Sequence, residues 1–93
     1  MIRSFKHKGL EKYFTKVTAS GIQTTAQSKR LRPILGRLSA STTAQDMDLP
    51  GLYLHQLRGK NRGRWSVRVS GNWRITFKFD GTDAIDVDYE DYQ

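Results

Sequence analysis

Near residue 50 the hydrophobic repeat of this chain changes from helical to alternating, and that change fixes the order of its structural elements. Before it, Leu10, Tyr13, Phe14 and Val17 fall at i, i+3, i+4 and i+7, and Leu31, Ile34, Leu35 and Leu38 repeat the spacing. That is the stripe of a helix with one buried face. After it, Trp65, Val67 and Val69 alternate with Arg64, Ser66 and Arg68, then Trp73, Ile75, Phe77 and Phe79 with Asn72, Arg74, Thr76 and Lys78. Ile85, Val87 and Tyr89 alternate in the same way with Asp86, Asp88 and Glu90. Each of these segments predicts a strand with one apolar and one polar face. Ser39 to Thr43 and Asp48-Leu49-Pro50-Gly51 punctuate the boundary. Ile2 to Phe5 reads as a short strand, Leu52 to Leu57 as a less regular one, and Arg58 to Gly63 as a polar loop. The expected class is α+β, two N-terminal helices packed on one face of a largely antiparallel sheet of three to five strands.

Local chemistry adds detail to this outline. The first helix covers Lys8 to Val17, with Gly21 closing it or lying in the connection, and Thr24 or Thr25 offers an N-cap to the second. Pro33 and Gly36 fall inside the second stripe. An interior proline costs about 3 kcal/mol relative to alanine, so a kink or break is expected near Lys29 to Arg32. Two-residue turns at Ser70-Gly71 or Asp80-Gly81 would set apolar residues opposite charged ones. Odd loops, most simply three residues with a left-handed glycine, avoid that and bring Arg74 opposite Asp86 or Asp88. The polar face, with Arg64, Arg68, Asn72, Arg74 and Lys78, is then left open.

A chain of 93 residues has surface for one core, so residues 1–93 form a single domain. No apolar run approaches the roughly 20 residues of a membrane span, and the basic start lacks an apolar sequel. The chain is expected to be soluble and unprocessed, with no membrane contact. Having no cysteine, it forms neither a disulfide nor a thiolate metal site, and a cytoplasmic setting fits. Sixteen Lys and Arg against nine Asp and Glu give a net charge of +7, which suits a polyanionic partner. From Arg58 to Lys78 there are seven basic residues and no acid, and from Asp80 to Asp91 six acids and no base. Neutralisation between adjacent strands would explain those blocks alone. It would leave the nine basic residues before Asp46 accompanied only by Glu11.

The polar face gathers guanidinium groups, whose planar fork of donors matches phosphate. For Arg74 two readings stand at this level, a phosphate ligand or a cross-strand ion pair worth roughly 0.2 to 1 kcal/mol. His55, the sole histidine of the strand region, is the natural proton-transfer candidate or a structural residue. His7 and His55 are too far apart in sequence to suggest a metal site. Asp86, Asp88 and Glu90 could line a hard-cation site but read more simply as counter-ions to Arg74. No cofactor or metal is called for. Tyr89 has the parity of the buried face, and Tyr92 has the opposite parity, as a residue able to stack on a base would.

Four stretches carry a resemblance: Ile2-Arg3-Ser4-Phe5-Lys6-His7-Lys8-Gly9-Leu10, Leu54-His55-Gln56-Leu57-Arg58-Gly59, Trp65-Ser66-Val67-Arg68-Val69 with Asn72-Trp73-Arg74-Ile75-Thr76-Phe77, and Tyr89-Glu90-Asp91-Tyr92. Together they resemble the HigB branch of the RelE-like toxins nearly end to end. The resemblance implies a compact RelE-like fold and a toxin of a type II toxin-antitoxin system that cleaves messenger RNA in the ribosomal decoding site without metal. A HigA-like antitoxin would be its protein partner, and messenger and ribosomal RNA its nucleic-acid partners. It assigns His55, Arg58, Arg74, Asp91 and Tyr92 to catalysis, and it leaves Arg64, Arg68, Asn72 and Gln93 to bind RNA. Gln93 stands where such relatives end on histidine, and glutamine exchanges no proton. The rival reading is a catalytically inactive RNA- or partner-binding module of the same fold. No helix-turn-helix or glycine-rich phosphate loop supports operator binding or a small phosphorylated substrate.

Overall fold

The computed structural model describes residues 1–16, 25–59 and 63–91, without the side chains of Lys16 and of residues 25–28. Helix α1 (Lys8–Lys16) and helix α2 (Thr25–Ala40) precede four strands, β1 (His55–Gln56), β2 (Trp65–Ser70), β3 (Trp73–Asp80) and β4 (Asp83–Asp91). The strands form one antiparallel sheet in chain order. Both helices lie on its apolar face, where Leu10, Tyr13, Leu31, Ile34, Leu35 and Leu38 meet Val67, Val69, Ile75, Phe77, Val87 and Tyr89 in one buried cluster. The α+β expectation holds. Val17, Gly21 and the candidate cap Thr24 lie outside the described residues, as does the Thr25 side chain. The backbone N–H of Leu10 donates to His7 Nδ1 at 2.9 Å, so a histidine caps α1 in place of the usual hydroxyl or carboxylate.

The expected break in α2 does not occur, and the helix runs unbroken through Pro33. Its four stripe residues are nearly or fully buried, each worth about 1.5 to 3 kcal/mol. Their sum exceeds the roughly 3 kcal/mol that proline costs and the further 1 kcal/mol for Gly36. Lys29, whose carbonyl loses its partner at Pro33, is exposed together with the proline, so that acceptor is placed where solvent can reach it.

Turns and register depart from expectation in an instructive way. Both hairpins use two-residue turns, Gly71-Asn72 between Ser70 and Trp73, and Gly81-Thr82 between Asp80 and Asp83. Gly71 and Gly81 take positive φ of 56° and 63°, which glycine adopts without penalty. The parity conflict is removed by β-bulges. In β2 the bulge lies between Arg68 and Ser70, and Val67 is back opposite Ile75. In β4 the extra residue comes later: Thr76 faces Asp88, but Lys78 faces Ile85 and Phe79 faces Ala84. Ala84 therefore enters the core and Ile85 is only half-buried. Beyond the bulge Arg74 faces Glu90, not Asp86 or Asp88.

Asp86 sits in the bulge with φ 51°. Its N–H donates to Ser4 Oγ at 2.8 Å, and the N-terminal segment lies along the outer edge of β4 through bridges Ile2 to Ala84 and Phe5 to Val87. These are isolated bridges where a short strand was expected. Arg3 pairs with Asp80 and lies 3.7 Å from Asp83, drawing two of the acids to the N-terminus instead of the basic strands. The expected strand Leu52 to Leu57 shrinks to two residues because Tyr53, at φ 53°, cannot be extended. Arg68 N–H still donates to the Leu52 carbonyl and Leu57 N–H to that of Arg64. No helix among the described residues is long and apolar enough to cross a membrane.

Candidate functional site

On the face away from the helices the register lays the polar residues out in rows. His55 is opposite Ser66, Ser66 opposite Thr76, and Thr76 opposite Asp88; the next row is Arg68, Arg74 and Glu90. With strands about 4.8 Å apart and residues about 3.3 Å apart along each strand, the Cα atoms of His55 and Arg74 lie about 12 Å apart. A long arginine side chain and an imidazole span that gap from its two ends, so both can touch one phosphate.

His55 is exposed, and its Nδ1 lies 3.1 Å from the Tyr53 carbonyl. A carbonyl only accepts, so Nδ1 is the donor of this bond, and Nε2 is the ring nitrogen left to meet a substrate. The positive φ of Tyr53 sets this up by turning the chain just before β1. Arg68 faces Arg74 directly across β2 and β3, a like-charge pair that disfavours folding by itself and welcomes an anion. Arg68 is exposed and its guanidinium lies over the Tyr53 ring at 5.7 Å. Arg74 is half-buried beside Glu90. Arg58 is exposed where the chain leaves β1, and Asn72 is exposed in the turn at the end of the arginine row.

Arg64 is not on an open surface. It is 8% exposed, and its Nη2 donates to Thr76 Oγ1 and to the Asp86 carbonyl, both at 2.8 Å. Thr76 Oγ1 donates in turn to Glu90 Oε2 at 2.5 Å. The bulge at Asp86 aims its carbonyl at this guanidinium, and Arg64 locks β2, β3 and β4 together. The lower half of the polar face is thus filled by Arg64 over the buried Thr76, Ser66 is buried as well, and what the upper half leaves open is His55, Arg68 and part of Arg74. Lys78 is half-buried in the closed half opposite Ile85.

Asp91 belongs by register to the side of Trp73, not to that of Arg74. Trp73 and Tyr89 stack there with centroids 4.6 Å apart. Burial, with the nearby Asp91 charge adding to it, pushes the Tyr89 phenol up to about 12. Tyr92 and Gln93 lie outside the described residues. Among the described residues no three His, Asp or Glu side chains converge as a metal set, and the bulge turns Asp86 out of line with Asp88 and Glu90. Sequence periodicity missed Tyr53, Thr76 and Glu90 as neighbours of the site, since it reports parity along a strand and not which residue stands opposite which.

A small α+β domain that sets an exposed arginine opposite a half-buried one, beside an exposed histidine, has the chemistry of a protein that acts on a polyanion. Over residues 3–93 the sequence matches the family described as the RelE-like toxin of type II toxin-antitoxin system HigB, and the chain belongs to that family. It is 40% identical over 92 residues to the Endoribonuclease HigB of Proteus vulgaris, a match covering 99% of each chain.

Proposed function

We propose that this protein is a ribosome-dependent endoribonuclease, a cytoplasmic toxin that cleaves messenger RNA in the decoding site without metal and is silenced by a HigA-like antitoxin. The observation that carries it is the pairing of the open Nε2 of His55 with the facing Arg68 and Arg74 on the uncovered half of the sheet. Family membership and the name of the Proteus relative support RNA as the polyanion.

In this proposal the ribose 2′ oxygen attacks the adjacent phosphorus as its proton passes to His55 Nε2. The bond from phosphorus to the 5′ oxygen breaks, giving a 2′,3′-cyclic phosphate and a 5′ hydroxyl. Arg58 and Arg74 stabilise the negative charge gathering on the phosphoryl oxygens, a preorganised donation whose loss costs on the order of a hundredfold or more. Tyr92 supplies the proton for the departing oxygen, with Asp91 as its neighbour and Gln93 as a hydrogen-bonding end. Arg68 and Asn72 hold the message. The ribosome contributes the in-line geometry that a loose chain lacks, so bare RNA is a poor substrate.

The experiment is to map message ends after brief induction in cells, and to measure single-turnover cleavage on programmed ribosomes and on bare RNA. His55→Ala should lose about 10² to 10⁴ in rate and melt like the wild type, because His55 is exposed. Cleavage should survive chelation at a magnesium level that keeps ribosomes intact. Wild-type cleavage that the His55 substitution leaves untouched would overturn the assignment.

A further inference from the structure

Tyr53 is unaccounted for by the proposed chemistry, and three features set it apart. It is 64% exposed, and Met1 is the other large apolar side chain the described residues leave so open. Its φ of 53° is a conformation that β-branched and bulky residues rarely adopt. One face of its ring is covered by the Arg68 guanidinium, which leaves the other to solvent. A cleft of ≈ 320 Å³ lies beside it, lined by Arg30, Gly51, Tyr53, Arg68, Ser70 and Gly71, within the range of roughly 300 to 1,000 Å³ of small-ligand pockets. Arg30 reaches that cleft from α2, anchored through its Nε on the carbonyl of Val69 at the β2 bulge. An exposed ring backed by one cation, with a second cation on the far wall, has the chemistry to stack an unpaired base and hold its phosphate.

The geometry points to a nucleotide-stacking subsite at Tyr53, in which a base of the message lies on the open face of the ring while Arg30 and Arg68 hold the adjoining phosphate. This rests on the endoribonuclease reading and deepens it. The Tyr53 carbonyl holds His55 through Nδ1, so the strained residue couples base stacking to the position of the reacting imidazole. A stacked base at Tyr53 sets which phosphodiester lies within reach of Nε2.

The test uses a short message built of 2′-deoxynucleotides, which has no 2′ oxygen to attack, with 2-aminopurine placed at successive positions. On programmed ribosomes, wild-type protein should quench the fluorophore at one position, and Tyr53→Ala should abolish that quench. Tyr53→Ala should also raise the protein concentration at half-saturation about tenfold, and Tyr53→Trp should restore both readouts. Tyr53→Asn, whose side chain tolerates left-handed φ, should melt no lower than the wild type yet lose the quench, which separates stacking from folding. His55→Ala should quench like the wild type while failing to cleave the same message made of ribonucleotides, which the wild type cleaves. If the wild type cleaves but Tyr53→Ala, still folded, keeps its quench and affinity, the subsite is refuted. If Tyr53→Ala instead weakens binding to ribosomes without message and no position is quenched, the base is ribosomal and the assignment to the message is wrong. A wild type that quenches but cleaves no message would sink the enzymatic reading and leave the subsite standing.

Discussion

Arg64→Ala separates a structural arginine from an RNA-binding one. The buried guanidinium donates two hydrogen bonds, to Thr76 Oγ1 and to the Asp86 carbonyl, and bonds of charged groups contribute about 1.5 to 3 kcal/mol each. The lower end applies, because Thr76 keeps its bond to Glu90 and water can enter the space vacated. A loss of about 3 kcal/mol follows, and for a domain of this size that lowers Tm by about 12 to 24 °C. Arg64→Met keeps the packing of the stem and should recover only the smaller, apolar part of the loss. Thermal melts by circular dichroism give the stability, and ribosome binding across a salt series gives the electrostatic role. The salt slope of Arg64→Ala, measured well below its melting point, should match the wild type, whereas Arg68→Ala should reduce it by nearly one. A melt within about 2 °C of wild type, with a slope reduced as in Arg68→Ala, would refute the burial argument and return Arg64 to the RNA surface.

Gly36→Ala should stabilise by about 1 kcal/mol, since an added Cβ meets nothing within 4 Å; an unchanged or lower denaturation midpoint would contradict this. Asp86→Gly should be neutral or stabilising by up to about 1 kcal/mol, because it relieves the positive φ of the bulge, and Asp86→Val should destabilise; chemical denaturation compares them. Tyr89, with its native phenol pushed up to about 12 by burial, favours the folded state only while protonated. Stability should therefore fall as pH rises from about 10, the unfolded value, towards 12, and Tyr89→Phe should flatten that decline. The N–H groups of Thr42 and Thr43 hold the Asp46 carboxyl below its usual range. Its contribution is present at neutral pH and lost as pH falls through the depressed native value, so Asp46→Asn should weaken the acid limb of a stability profile.

What the sequence determined by itself was everything that depends on period and on side-chain type. The stripes Leu10-Tyr13 and Leu31-Ile34-Leu35-Leu38 could point only inward, and the alternation from Trp65 to Tyr89 could only be a sheet with one wet face, because burial acts on each residue separately. The arginines and His55 were legible as chemistry for the same reason, and the quoted motifs were enough to indicate the family. Which residues face one another was decided by the tertiary structure. One extra residue at Asp86 moved the partner of Arg74 to Glu90, exchanged Ile85 for Ala84 in the core and aimed a carbonyl at Arg64. A bulge is a compromise between two strands, their turn and the N-terminal segment that binds the edge, and no local pattern records it. Arg64 shows the same division: its parity places it on the polar face, but only the path of β4 determines that its guanidinium finds two acceptors and is covered. The same holds for Tyr53, whose left-handed backbone follows from joining Leu52 and His55 to one strand at two points, a constraint that exists only once β2 is in place.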